Sequence, residues 1–215
     1  MKRVFWFLLG LCTTAACVVH FTPAVKPEKI LPVSPRIRAR ALLLITPSFE
    51  AYLSREKNGV RQVFHYGEAG TKALSALVTE SFTVVEIKRV AAAEVQALLA
   101  GPADTSVADI LLVPSFQSAG ALLQLTAGDP IYIHTAYVDS LQVSSAMSGD
   151  ISASVTLRLN ARSFRTGHTF TWLAVGGTDR LHTSWGRATG LALEDALHAV
   201  SDSLAAHRAE LELGP

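Results

Sequence analysis

Cysteine is nearly missing from this chain of 215 residues: Cys12 and Cys17 are the only two, and both lie in the first seventeen positions. No disulfide or cysteine-based metal site can therefore form within the folded body. A surplus of charge is missing too. Charged residues make up 17% of the chain and the formal net charge is +1. That balance argues against a nucleic-acid binder, which carries a basic excess. Long apolar runs are also lacking. Val4 to Leu11 is far shorter than the roughly 20 residues that cross a bilayer as a helix. Catalytic motifs are equally scarce. His20, His65, His134, His168, His182, His198 and His207 are scattered, with no HExxH or His-x-His pairing, and read as surface or capped histidines. Ser48, Ser115 and Ser118 lack a nucleophile-elbow context. Gly67-Glu68-Ala69-Gly70-Thr71 precedes a helix, but the glycines and the lysine of a phosphate loop are not at their spacing. No metal and no cofactor is expected. The hydrophobic share, 49%, excludes global disorder and suffices for one sizeable core.

The N-terminus is more explicit. Lys2 and Arg3 precede the apolar run, and the small residues Thr13 to Ala16 follow it, the order of a secretory signal. Thr14-Ala15-Ala16-Cys17 resembles the bacterial lipobox, with Thr in place of the usual aliphatic first residue. The resemblance implies cleavage between Ala16 and Cys17, a diacylglyceryl thioether on Cys17 and acylation of the new amino group. Several acyl chains anchor a protein stably where one does not. Val18, rather than Asp, follows the cysteine, which in enterobacteria implies the outer membrane. The alternatives are an ordinary signal peptide cut after Ala16 and an uncleaved N-terminal anchor.

Residues 18–40 carry Pro23, Pro27, Pro32 and Pro35, and five basic side chains against Glu28 alone. Proline favours extended backbone without internal hydrogen bonds. Together with Cys17 the segment reads as a tether, about 70 Å long at full extension. It serves either as a spacer with basic residues near anionic headgroups or as a plain solvated linker. Residues 41–215 form the remaining domain, with 12 basic and 17 acidic side chains and a net charge of −5.

Within that domain Ala41 to Ile45 reads as a buried strand stopped by Thr46-Pro47. Lys57-Asn58-Gly59 is a turn, followed by a hairpin partner or a loop to Tyr66. Helical spacing runs from Gly67 to Phe82, Thr83 to Ile87 is β-branched, and Ala91 to Leu99 is a helix ending at Gly101-Pro102. Ala108 to Val113 is a second buried strand. Ile131 to Val143 is rich in β-formers, with a turn expected at Gly149-Asp150. Ile151 to Arg162 alternates strictly, turns at Arg165 to His168, and returns over Thr169 to Gly176 with Phe170, Trp172 and Ala174 on one face. A closing helix runs from Leu191 to Leu211, with Leu193, Leu197, Val200, Leu204, His207 and Leu211 as its stripe. Glu194, Asp195 and Asp202 read as its solvated side. The fold class is α/β: a mixed sheet packed by about three helices, an α/β sandwich.

The Cys17 lipobox, the strand Ala108-Asp109-Ile110-Leu111-Leu112 and the hairpin from Leu157 through Thr166-Gly167 to Trp172 carry a resemblance. The chain resembles the CsgG/PelC/LpoB/YajG-like group of periplasm-facing envelope lipoproteins over roughly residues 41–210. That resemblance implies a non-enzymatic component of envelope assembly or export, docking with other envelope proteins or with copies of itself. Ile131 to Ala146 is the one candidate for a membrane-inserting insertion and reads as ordinary sheet. Trp185, beside Arg187 in a polar stretch, is the candidate interface residue. Two other classes remain: a lipoprotein binding a small ligand or polysaccharide, which needs a concave pocket, and an envelope hydrolase, which needs a Ser/His/acid set.

Overall fold

The computed structural model describes the backbone of residues 18–58, 60–102, 104–135, 138–178 and 184–213, and their side chains except at 57, 58, 60, 124–135, 138–150 and 213. Residues 1–17, with the expected signal segment and its Ala16–Cys17 cleavage site, lie outside the described residues, as do Ala136 and Tyr137. No helix among the described residues is long and apolar enough to cross a membrane.

Among the described residues two sheets and five α-helices build an α/β fold, the class that the alternation of apolar patterns predicts, with a second sheet and two short helices beyond the one mixed sheet and three helices expected. The main sheet has strand order β5-β2-β6-β7-β8: β2 is Ile37–Ile45, β5 Phe82–Arg89, β6 Ile110–Thr135, β7 Val138–Ser163 and β8 Thr169–Gly177. β2 lies parallel to both β5 and β6, and β6, β7 and β8 form an antiparallel meander. Ala41 to Ile45 is buried throughout because β2 is covered on both faces. Leu43 and Ile45 face the main core, while Leu42 and Leu44 face a smaller cluster with Leu111, Val113 and Phe164.

Four-residue helix α1 (Pro47–Glu50) starts as Thr46-Pro47 dictates, with the Thr46 hydroxyl accepting from the Phe49 N–H at 3.2 Å. Helix α2 (Tyr66–Ser81) buries Leu74, Leu77 and Val78 in the main core. Helix α3 (Ala92–Ala100) covers the smaller cluster with Val95. Its C-terminal carbonyls are collected by one side chain: the Arg162 guanidinium donates to Leu98 O, Leu99 O and Gly101 O at 2.7–2.8 Å.

Helix α4 (Trp185–Ala206) begins six residues before the expected start at Leu191 and is followed by short α5 (Arg208–Leu213). The stripe Leu193, Leu197, Val200, Leu204 and Leu211 is buried as its spacing predicts, and His207 packs beside Phe170 and Trp172. The helix lies unusually close to β8. A Cβ on Gly176 would stand 2.1 Å from Ala192 O and 2.3 Å from Ala196 N. Glu194 departs from the expected solvated face: it is 4% exposed. Asp195 is also engaged, accepting from the Gly177 N–H at 3.0 Å.

Two further sequence expectations are overturned. The first is the tether. Residues 18–40 are folded onto the domain. β1 (Val18–Phe21) lies parallel to β4 (Val60–Phe64), which pairs antiparallel with β3 (Ser54–Asn58) to complete a second, three-stranded sheet. Beyond β1 the chain runs along α4. Ala24 N–H donates to Gly186 O at 2.8 Å, Lys26 N–H to the Glu194 carboxylate at 2.7 Å, and the Ser201 hydroxyl to Leu31 O at 2.6 Å. Ile30, Val33 and Ile37 are buried between. The prolines disfavour helix, but the aliphatic residues among them drive docking, so residues 18–40 are part of the domain and not a tether ahead of Ala41.

The second is the insertion. Gly149 and Asp150 make no turn; they pair within the β6–β7 ladder, opposite Leu125 and Gln124, and the ladder continues to Thr135 opposite Val138. β2 pairs with β6 only at residues 110–112, and β8 with β7 only at 154–162. Among the described residues, 124–135 and 138–150 therefore have ladder partners only in each other. They form a two-stranded arm extending the main sheet by roughly 40 Å at 3.4 Å per residue. Residues 131–135 and 138–146 are strand, as their composition predicts, but they are arm and not body sheet. Local β-propensity carries no information about which neighbour a strand finds.

Candidate functional site

The arm, the chain entry and the three-stranded sheet converge on one pole. Tyr52 stacks on Phe116 with centroids 4.6 Å apart, and four residues further along both strands Glu56 abuts Gly120. β3 and β6 thus run alongside each other in the same direction. Val18 stands opposite Arg61, and Arg61 opposite Lys57. Val18, the β3–β4 turn and the arm all lie at this pole. The start of β2, the β7–β8 turn and α5 lie at the other.

β1 is held at this pole by aromatic packing and by hydrogen bonds at its end. Phe21 stacks on Phe64 at 5.3 Å and both rings meet Trp185, at 6.0 and 5.6 Å. His65 N–H donates to Phe21 O at 2.8 Å. His20 Nδ1 and His65 Nε2 are 2.9 Å apart, an exposed imidazole pair in which one ring donates to the other. Nothing in the sequence joins two histidines 45 positions apart; only the β1–β4 register does. Among the described residues no group of three His, Cys, Asp or Glu side chains is placed to hold a metal ion.

The outward face of β1, β3 and β4 forms an open groove of about 520 Å³. Val18 and Val63 supply its apolar floor, and Arg55 and Arg61 stand exposed at its rim. Glu56 and Gln62 border it from the opposite pleat, where the Glu56 carboxylate accepts from the Ser54 hydroxyl at 3.2 Å. Below it Tyr66 is fully buried. Burial, reinforced by the charge of Glu56 and by Tyr52, pushes the Tyr66 phenol well above its ordinary range, so it stays a neutral donor, directed at Gly120 O at 3.5 Å.

The residues singled out in the sequence are placed differently. Trp185 opens α4 and packs inward against Phe21 and Phe64. Arg187 pairs with buried Glu194 at 3.2 Å. Both spend their contacts inside the chain, fixing residues 18–26 to α4. Gly67 and Gly70 serve packing: a Cβ on Gly67 would meet Glu50 O at 2.3 Å, and one on Gly70 the Phe116 ring at 2.8 Å. Ser48 bonds Thr46 and Ser115 bonds Gln117. Among the described residues no histidine is hydrogen-bonded to both a serine hydroxyl and a carboxylate.

At the other pole Asp109 is 5% exposed. It accepts from the Arg40 N–H at 2.8 Å, from Arg165 Nε at 3.2 Å and from the Arg40 guanidinium at 3.5 Å. Burial alone would raise its carboxyl, but these donors together outweigh burial and hold it below the usual carboxylate range. Glu212 is lowered likewise by the Arg38 N–H and Arg208.

No family model matches this sequence, and no curated protein matches it. Among solved structures it is similar in outline to a Xanthomonas campestris protein assigned to family model DUF330, at a TM-score of 0.41 and 12% identity, over 87% of this chain and 92% of that one.

Proposed function

We propose that this chain is a lipid-anchored, non-catalytic bacterial envelope protein, a docking or assembly/export component that meets other envelope proteins through its β6–β7 arm. The arm is the observation that carries the reading. A lone two-stranded hairpin is at best marginally stable in water, and its two outer edges present unpaired N–H and C=O groups that template further strands. The arm has no ladder partner besides itself among the described residues, so strand edges of another protein, or the same arm in a second copy, fit it. Anchoring through Cys17 places Val18, and with it the arm's pole, at the membrane facing the periplasm, with the outer membrane implied by Val18. Anchor and arm then address the same surface.

The test is excision. Residues 124–150 are replaced by Asn-Gly, which closes a two-residue hairpin, and proteins are crosslinked in the native membrane and identified by mass spectrometry. The shortened protein is expected to keep its melting temperature and lose its crosslinked partners. Unchanged partners, or a full-length protein recovered only at monomer mass, would overturn the docking role. Cys17→Ala tests the anchor separately: it should abolish palmitate incorporation and release the protein from membranes.

A further inference from the structure

We infer that the groove on the outward face of β1, β3 and β4 binds the phosphate headgroup of an anionic phospholipid, so that the three-stranded sheet lies flat against the membrane. Resting on the Cys17 anchor reading, the inference adds a specific lipid site to it.

Position fixes the occupant. Val18 lines the groove, and the candidate lipidated residue is its immediate neighbour in the chain. β1 is not free to swing away: Val18, Val19, His20 and Phe21 are in ladder register with β4, and His20 bonds His65. One residue of extended chain spans about 3.4 Å, so headgroups around an anchored Cys17 stand at the mouth of the groove. Charge matches them. Arg55 and Arg61 are exposed, and neither side chain has a hydrogen bond or ion pair among the described residues. Arginine binds phosphate through two parallel N–H donors. The competing carboxylate, Glu56, belongs to the opposite pleat and is directed toward Ser54 and Gly120. The apolar floor of Val18 and Val63 suits the glycerol and first methylenes of the lipid, and a volume of about 520 Å³ admits a headgroup. Residues 18–215 carry 17 basic and 18 acidic side chains, so these two unpaired arginines are not part of a general basic excess.

Native mass spectrometry of the full-length, membrane-extracted protein separates the two layers. The covalent mass reports lipid on Cys17, and non-covalent adducts report the groove. Phosphatidylglycerol and phosphatidylcholine are offered in equal amounts. The expected result is one retained phosphatidylglycerol per chain, favoured about tenfold over phosphatidylcholine and not displaced by excess inorganic phosphate. Arg55→Gln with Arg61→Gln should bring retention of the two lipids to parity, while an Arg36→Gln control at the other pole leaves the preference intact. Circular dichroism checks that each variant is folded. Equal retention of the two lipids by the wild type, or an undiminished preference in the double variant, overturns the site. Displacement by inorganic phosphate overturns the lipid assignment. Absent covalent lipid with phosphatidylglycerol still retained overturns the anchor and leaves the groove standing.

Discussion

The backbone N–H of Lys26 lies 2.7 Å from the Glu194 carboxylate, joining the N-terminal segment to the middle of α4 across 168 positions. That carboxylate also takes Arg187 at 3.2 Å and is almost wholly buried. Glu194→Ala removes the acceptor from both donors, at about 1–3 kcal/mol for unsatisfied buried groups. Urea unfolding should show that loss. Trypsin should cut faster after Lys29, since Pro27 protects the bond after Lys26. An unchanged cleavage rate would mean that Glu194 does not hold this segment.

Arg162 caps α3 through three carbonyls, a geometry that the single ammonium of lysine cannot reproduce. Arg162→Lys is expected to cost about 2–3 kcal/mol. Hydrogen exchange should quicken around Ala97 to Gly101 and stay unchanged in α4. Uniform quickening through the molecule would show instead that α3 unfolds only with the whole domain.

Gly176 lets α4 lie on β8. Its replacement by Ala drives a methyl into the backbone at Ala192 and Ala196, and overpacking against backbone costs about 3 kcal/mol. Gly177→Ala is the control. Its Cβ would meet only Ala153 O at 3.8 Å, an ordinary contact, so its melting temperature should stay near wild type.

Asp109 sets part of the acid response. Its folded carboxyl titrates below the ordinary value of about 3.9 that it has unfolded. Its contribution is therefore fully present above about pH 4 and is lost as pH falls through the lower folded value. The urea midpoint of the wild type should drop across that window, and Asp109→Asn should flatten the drop. Glu212 shifts in the same direction, so the slope should shrink and not vanish. A slope identical to wild type would remove Asp109 from the acid transition.

The sequence made the body legible and the extremities illegible. Ala41 to Ile45, Ile110 to Val113 and the alternation from Ile151 announce strands because each buries a face that local periodicity records. The stripe of α4 announces a helix for the same reason. The docking of β1 and residues 22–33 has no such record, since it is made by backbone groups meeting distant partners. One trace was present. Gly190 sits inside a helix, where glycine costs about 1 kcal/mol relative to alanine. The cost is repaid by proximity, because a Cβ there would stand 2.3 Å from Ala24 O. The groove was hidden for a similar reason: Val18, Arg55 and Arg61 come together only through the β1–β4 and β3–β4 registers. The arm's strands were visible in composition, but their isolation from the body was not.

The parallel docking of β1 on β4 has a mechanical consequence. A protein hung from acyl chains by a loose leash explores a hemisphere; one lipidated next to a strand docked on its own domain has neither reach nor swivel. Under the proposed anchoring at Cys17, this domain lies at a fixed height with the outward face of its three-stranded sheet turned to the bilayer. Neighbouring copies on one membrane would differ only by rotation about its normal, and their arms would meet at one height.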